Sequence, residues 1–273
     1  MSADAWFPVP GLTMAVLGAL LGWFVPALVS RIPEPEPEMD STGPDEAGAV
    51  GDGSREPAAE TAADQTAAEQ TAAEQVAAEE PKERYDAIAA LPGLAWKTAL
   101  ASALTSALVG ARLGWDPALL VWAYLVPVGV ALALVDWRTR LLPTKVIAPS
   151  YAVVVALTLL AGAISGDWDS VIRAGLGWLI AGGTFFVLWF VYPRGLGYGD
   201  VRLSGLLGIA LGYLGWGELL TGVYAGFLLG GVGGLLLSVL RIVDRKAYPF
   251  GPFMLVGAVV GVLAGPGVAA WYA

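Results

Sequence analysis

Eight apolar stretches divide the 273-residue chain, at about 11–29, 94–113, 118–135, 146–163, 171–191, 201–214, 219–240 and 253–271. Several approach the ~20 apolar residues that an α-helix needs to cross a bilayer. The pattern predicts an all-α, polytopic membrane protein of about eight transmembrane helices: one in residues 1–32, and a seven-helix core in 93–273. Between them the pattern lapses. Residues 33–92 begin with the stiff Pro/Glu alternation of Pro33 to Glu38 and reach the pentads TAADQ, TAAEQ, TAAEQ and VAAEE over 61–80. Alanine and glutamate favour helix, but a period of five sets no continuous apolar stripe on one face. Such a segment buries no core of its own, so a disordered or transiently helical acidic loop is expected. A solvated spacer is its plainer role; partner binding is the other.

Charge orients the spans. The net charge of −9 belongs to the loop, because residues 33–80 hold 14 acidic residues and only Arg55 as a cation. The rest of the chain is mildly basic, so the acidic balance carries no message about nucleic acid, and no nucleic-acid partner is expected. No Lys or Arg precedes the first span and Arg31 follows it. That order is the reverse of a secretory signal and sets the N-terminus outside. Threading eight spans from there leaves only Arg112 and Arg173, of 15 cations, on the outer side. This asymmetry fits the positive-inside rule and puts both termini of the multi-pass chain outside. Glycines four apart, Gly208/Gly212, Gly222/Gly226/Gly230 and Gly257/Gly261/Gly265, mark faces where membrane helices approach closely.

The chain has no Cys and no His. Thiol nucleophiles, cysteine zinc sites and the usual neutral-pH base are therefore absent. No metal and no cofactor is expected, and acid–base work falls to Asp, Glu, Lys or Tyr. Most acids lie in turns or flanks. Asp136 and Asp200 alone adjoin the apolar spans in distinctive surroundings, and the threading brings both to the cytoplasmic membrane face. Asp200 follows Gly195, Gly197 and Gly199 and opens the short sixth span. A helix N-cap is the bland reading of Asp200. The sharper one pairs it with Asp136, since two carboxylates close together in low dielectric share one proton. Such a pair performs both halves of peptide hydrolysis.

The residues resemble a known family. Gly197-Tyr-Gly-Asp200 with the following Val-Arg-Leu, the stretch from Asp136 to Leu142 and Pro143, and Tyr248-Pro-Phe-Gly-Pro-Phe253 are similar to motifs of type IV prepilin peptidases, membrane aspartyl proteases of the GxGD type. A weaker match ends the first span, at Ser30 to Pro33. The resemblance implies catalysis by Asp136 and Asp200. The expected substrate is the cytoplasmic leader of a prepilin or prepilin-like protein, cut just before its hydrophobic helix. Gly197, Gly199, Arg202, Phe250, Gly251 and Pro252 are the candidate substrate-binding residues. Arg202 has three readings: it binds lipid phosphate, orients a substrate carboxylate, or marks the membrane interface.

Three departures stand out. Paired CxxC motifs that many relatives carry after the first span have no counterpart, which excludes a zinc-stabilised domain and leaves N-methyltransferase activity doubtful. Thr144 stands where the family often has Asp, and Arg202 where it usually has Lys. Two rival classes remain: a proton-coupled carrier, which expects carboxylates at the bilayer midplane, and a non-catalytic subunit of a pilus or secretion assembly. Oligomeric state is not legible.

Overall fold

The computed structural model describes residues 6–34, 83–193, 196–240 and 249–272. The pentads, Arg194, Gly195, Arg241, Arg245, Lys246 and Tyr248 lie outside the described residues. Met1–Pro33 and Arg84–Ala273 make up one compact unit, whose described elements are all helices. They are α1 (Pro8–Trp23), α2 (Val25–Val29), α3 (Tyr85–Ala89), α4 (Leu94–Leu113), α5 (Leu119–Thr139), α6 (Thr144–Ser165), α7 (Trp168–Val191), α8 (Tyr198–Leu214), α9 (Trp216–Val239) and α10 (Gly251–Tyr272). Among the described residues five helices, α4, α5, α6, α7 and α10, are long and apolar enough to cross a membrane, with α1 a shorter apolar helix. The chain is an all-α polytopic membrane protein.

Each apolar stretch becomes a helix, with three informative differences. The first is broken at Phe24, because Pro26 lacks an N–H and its ring clashes with a carbonyl four residues back. The third and sixth extend further than their apolar cores, so that Asp136 and Asp200 fall inside helices rather than beside them. Residues 84–92, assigned by composition to the acidic loop, belong instead with the helical unit: Tyr85 and Ile88 of α3 are buried in its core.

The short α8 is central. Thirteen of its 17 residues are buried, as α6, α7, α9 and α10 all pack around it. At ~1.5 Å per residue it spans roughly 25 Å, less than a hydrocarbon core of ~30 Å. Enclosure by neighbours relieves it of facing lipid on its own. Its C-terminal carbonyls are met by Arg173 from α7, whose Nε donates to Gly212 O and Nη2 to Tyr213 O, both at 2.8 Å. Arg112, also buried, donates from Nε to Leu263 O in α10 at 3.3 Å. The two exceptions to the charge asymmetry thus serve helix backbones. At the start of α7, Asp167 accepts from the amide and hydroxyl of Ser170, and these bonds hold its carboxyl below the usual carboxylate range.

Glycines set how closely α7, α8, α9 and α10 pack. Gly177 and Gly208 face each other backbone to backbone, so a Cβ at either would overlap the other's carbonyl oxygen. Between α9 and α10, a Cβ at Gly257 would overlap the backbone of Gly226 and Gly222, and one at Gly261 that of Glu218 and Gly222. This is the close approach that four-residue spacing permits. Gly208→Ala should therefore destabilise the protein by about 1–3 kcal/mol through forced separation of α7 and α8. Gly183→Ala, with nothing within 4 Å of the added carbon, should be neutral or slightly stabilising. Thermal unfolding in detergent checks the pair, and equal midpoints would contradict the backbone contact.

Candidate active site

Four helix ends, the last turn of α5 and the starts of α6, α8 and α10, carry the two aspartates and their backbone partners. Asp136 lies in the last turn of α5, and Arg140, at φ 57°, ends that helix in the left-handed conformation. The Arg140 N–H donates to the Asp136 carbonyl at 2.8 Å and closes the turn. The chain reverses through Leu141, Leu142 and Pro143 and enters α6 at Thr144, with Pro143 supplying a φ suited to a helix start. Asp200 is the third residue of α8, where its Oδ2 accepts from the Gly197 N–H at 3.0 Å. Its own N–H donates to Gly197 O at 3.0 Å. The first turn of α8 is thereby closed on both sides.

Asp136 uses a donor from far along the chain. Its Oδ2 accepts from the Gly251 N–H, the first residue of α10, at 2.9 Å. A first-turn N–H has no partner inside its helix, and the helix dipole favours negative charge there. Each carboxylate therefore sits at a helix N-terminus, Asp200 at its own and Asp136 at a neighbour's. Both are buried, at 4% and 8% exposure, and among the described residues neither forms an ion pair with Lys or Arg. Their charges interact with each other. One oxygen of each is held by a backbone N–H, and the other carries no hydrogen bond among the described residues. Among the described residues, these two carboxyl oxygens are thus left to act on a third group.

The glycines around them admit close neighbours from this chain. A Cβ on Gly251 would come 2.7 Å from Asp136 Oδ2, and one on Gly197 would come 3.2 Å from Asp200 Oδ2. A Cβ on Gly199 would come 2.7 Å from that of Leu142, whose Cδ1 also lies 3.4 Å from the Cβ position of Gly251. Leu142 is thus wedged between the glycine beside Asp200 and the glycine that bonds Asp136. Sequence reasoning passed over it, since one Leu of a Leu-Leu-Pro stretch carries no signal of its own.

The other expected residues fall at varied distances from this centre. Arg202 lies one turn into α8, bonded from Nη1 to Thr144 Oγ1 and stacked 4.5 Å over the Tyr198 ring. Phe250 packs with Phe185 and Phe227 at centroid distances of 6.0 and 5.7 Å, forming an aromatic wall under the start of α10. Pro252 lines a cavity of about 180 Å³ with Trp122, Gly129, Leu207 and Leu255. A larger cleft of about 480 Å³, lined by Tyr151, Thr158, Trp178 and Ile209 among others, contains neither aspartate.

Residues 123–239 match the model of the type IV leader peptidase family. The chain is also similar to proteins named prepilin leader peptidase/N-methyltransferase. That of Aeromonas salmonicida (strain A449) is 32% identical over 187 residues, 63% of this chain and 59% of the relative. That of Pectobacterium carotovorum subsp. carotovorum is 33% identical over 164 residues, 58% and 56% of the two chains. That of Escherichia coli (strain K12) is 29% identical over 146 residues, 52% and 60%. The chain thus spans under two thirds of the length of these curated relatives. No solved structure matches. The matched segment contains both aspartates and the whole of α8, whereas Gly251 and the motifs at 248–253 and 30–33 lie outside it.

The donor–acceptor geometry separates two substitutions at one position. Asp136→Ala leaves the Gly251 N–H buried without a partner and should cost about 1–3 kcal/mol. Asp136→Asn keeps an acceptor oxygen there and should unfold close to wild type. Chemical or thermal denaturation in detergent distinguishes them, and an unchanged Ala variant would show that the bond holds nothing.

Proposed function

We propose that this chain, matched to the type IV leader peptidase family over residues 123–239, is an aspartic endopeptidase that removes leader peptides from type IV prepilins or prepilin-like proteins. The observation that carries this reading is the pair of buried carboxylates, each anchored through one oxygen to a helix N-terminus, the other oxygen carrying no hydrogen bond among the described residues. In the reaction the ionised carboxyl takes a proton from water as its oxygen attacks the scissile carbonyl carbon. The protonated carboxyl donates its proton to the carbonyl oxygen. On collapse the carboxyl that took the water proton gives it to the leaving nitrogen, the other carboxylate takes back a proton from the gem-diol hydroxyl as the C=O re-forms, the C–N bond breaks, and the pair again holds one proton. Asp136 and Asp200 are interchangeable in this scheme as acid and base.

The charge asymmetry of the spans supports a multi-pass protein of the plasma (inner) membrane with the aspartates at the cytoplasmic face, an outside N-terminus and residues 33–92 in the cytoplasm. In this reading the leader lies extended against the backbone of Gly197, Gly199, Phe250, Gly251 and Pro252, beside the carboxylates. The reading covers the peptidase activity alone, because the chain has no cysteine with which to build a CxxC domain. A carrier is disfavoured because both acids lie at helix ends rather than mid-helix.

The test is cleavage of a prepilin by the purified protein in liposomes, with Asp136→Asn and Asp200→Asn alongside. Each amide should lower turnover by at least about a hundredfold while circular dichroism and melting stay near wild type. Residual activity close to wild type in either variant would eliminate the paired mechanism. A folded wild-type protein that cleaves no prepilin would favour a non-catalytic membrane subunit.

A further inference from the structure

Arg202 is two residues beyond Asp200, yet its side chain turns away from the carboxylates toward another segment. Its Nη1 donates to Thr144 Oγ1, at the first residue of α6 and the end of the Arg140–Thr144 reversal that follows Asp136. The guanidinium also lies 4.5 Å over Tyr198, one helical turn earlier on α8. Tyr198 in turn packs on Trp189 near the end of α7, at a centroid distance of 4.9 Å. From the same turn of α8, Arg202 O accepts from the Tyr151 hydroxyl of α6 at 2.7 Å. Main chain and side chain of this one residue therefore bind the start of α8 to α6 at two points.

The reversal has a second attachment, because Leu142 is wedged against Gly199 and Gly251. The reversal begins with a left-handed non-glycine residue at Arg140, a conformation side chains disfavour, closed locally by the Arg140 N–H on Asp136 O and the Leu141 N–H on Thr139 Oγ1. Contacts from α8 and α10 add to this local closure. A planar guanidinium suits this task, since it stacks and donates at once where an ammonium would act as a point charge.

We propose that Arg202 is a positioning residue: by bonding Thr144 while stacked on Tyr198, it locks the Arg140–Thr144 reversal onto the first turn of α8 and so fixes Asp136 relative to Asp200. This inference rests on the peptidase reading for its catalytic consequence but not for its structural one. Arg202 binds neither leader nor lipid phosphate in this role, and Thr144 is a functional partner rather than a lost carboxylate.

The experiment uses full-length protein in detergent and compares Arg202→Gln, Thr144→Val and Thr144→Ser with wild type by two readouts. Hydrogen exchange followed by mass spectrometry reports peptides covering 137–145, and steady-state cleavage of a prepilin reports kcat and KM. Arg202→Gln and Thr144→Val should each speed exchange in that segment about tenfold. Each should lower kcat by about tenfold or more with KM within about twofold. The double variant should be no worse than the more impaired single one, and Thr144→Ser should retain wild-type values. Unchanged exchange in both variants would overturn the proposal. So would a raised KM with normal kcat in Arg202→Gln, which assigns the guanidinium to substrate. If exchange responds as expected while the wild type cleaves nothing, the positioning role stands and the peptidase reading falls.

Discussion

A single hydrogen bond, from the Gly251 N–H to Asp136 Oδ2 at 2.9 Å, joins the end of α5 to the start of α10 across 115 residues of sequence. In an apolar bundle both partners would be costly alone: a buried carboxylate without a donor, and a helix N-terminus without an acceptor. Together each removes the other's penalty. The bond requires glycine at 251, since the added carbon of any other residue would press on the carboxylate. It also places the start of α10 beside Leu142, and through Leu142 beside the glycine turn that carries Asp200. The site is therefore a set of mutually dependent helix ends rather than residues mounted on an independent scaffold.

Burying two carboxylates with no ion pair among the described residues is tolerable here because the bundle supplies backbone donors in place of water. Asp200 uses the opening of its own helix, and Asp136 borrows that of another. Enclosure does the rest. The helix that holds Asp200 is too short to be a comfortable lipid-facing span and is wrapped on its sides by four others, while Arg173 completes its far end. Charged groups within membrane segments are commonly turned inward toward protein in this way, and the arginines on the side opposite the aspartates follow the same rule.

The apolar pattern revealed the helices because membrane burial demands long uninterrupted runs. It misplaced their ends, because the last turn of α5 and the first of α8 carry polar residues that satisfy helix termini instead of facing lipid. Asp136 and Asp200 could be singled out from their unusual setting and from the lack of His and Cys. Their donors could not: nothing near Gly251 in sequence announces a bond to residue 136. Tyr198 and Arg202 had a readable signal, since residues four apart on a helix share a face. Leu142 had none. Its role arises only when three chain segments meet, and an ordinary side chain becomes a spacer by virtue of what lies on either side. The glycine repeats were legible as contact faces, but which helix each would meet was not.

The contact between Gly177 and Gly208 has a mechanical consequence. Where helices meet through side chains, rotamer changes provide a compliant layer that lets them slide or tilt. Here two backbones touch, and no such layer exists between α7 and α8 at that level. The pair behaves as one stiff body, with Asp200 carried rigidly at its end. Any change in the spacing of the carboxylates then falls to the other side, where α5 gives way to the Arg140–Thr144 reversal.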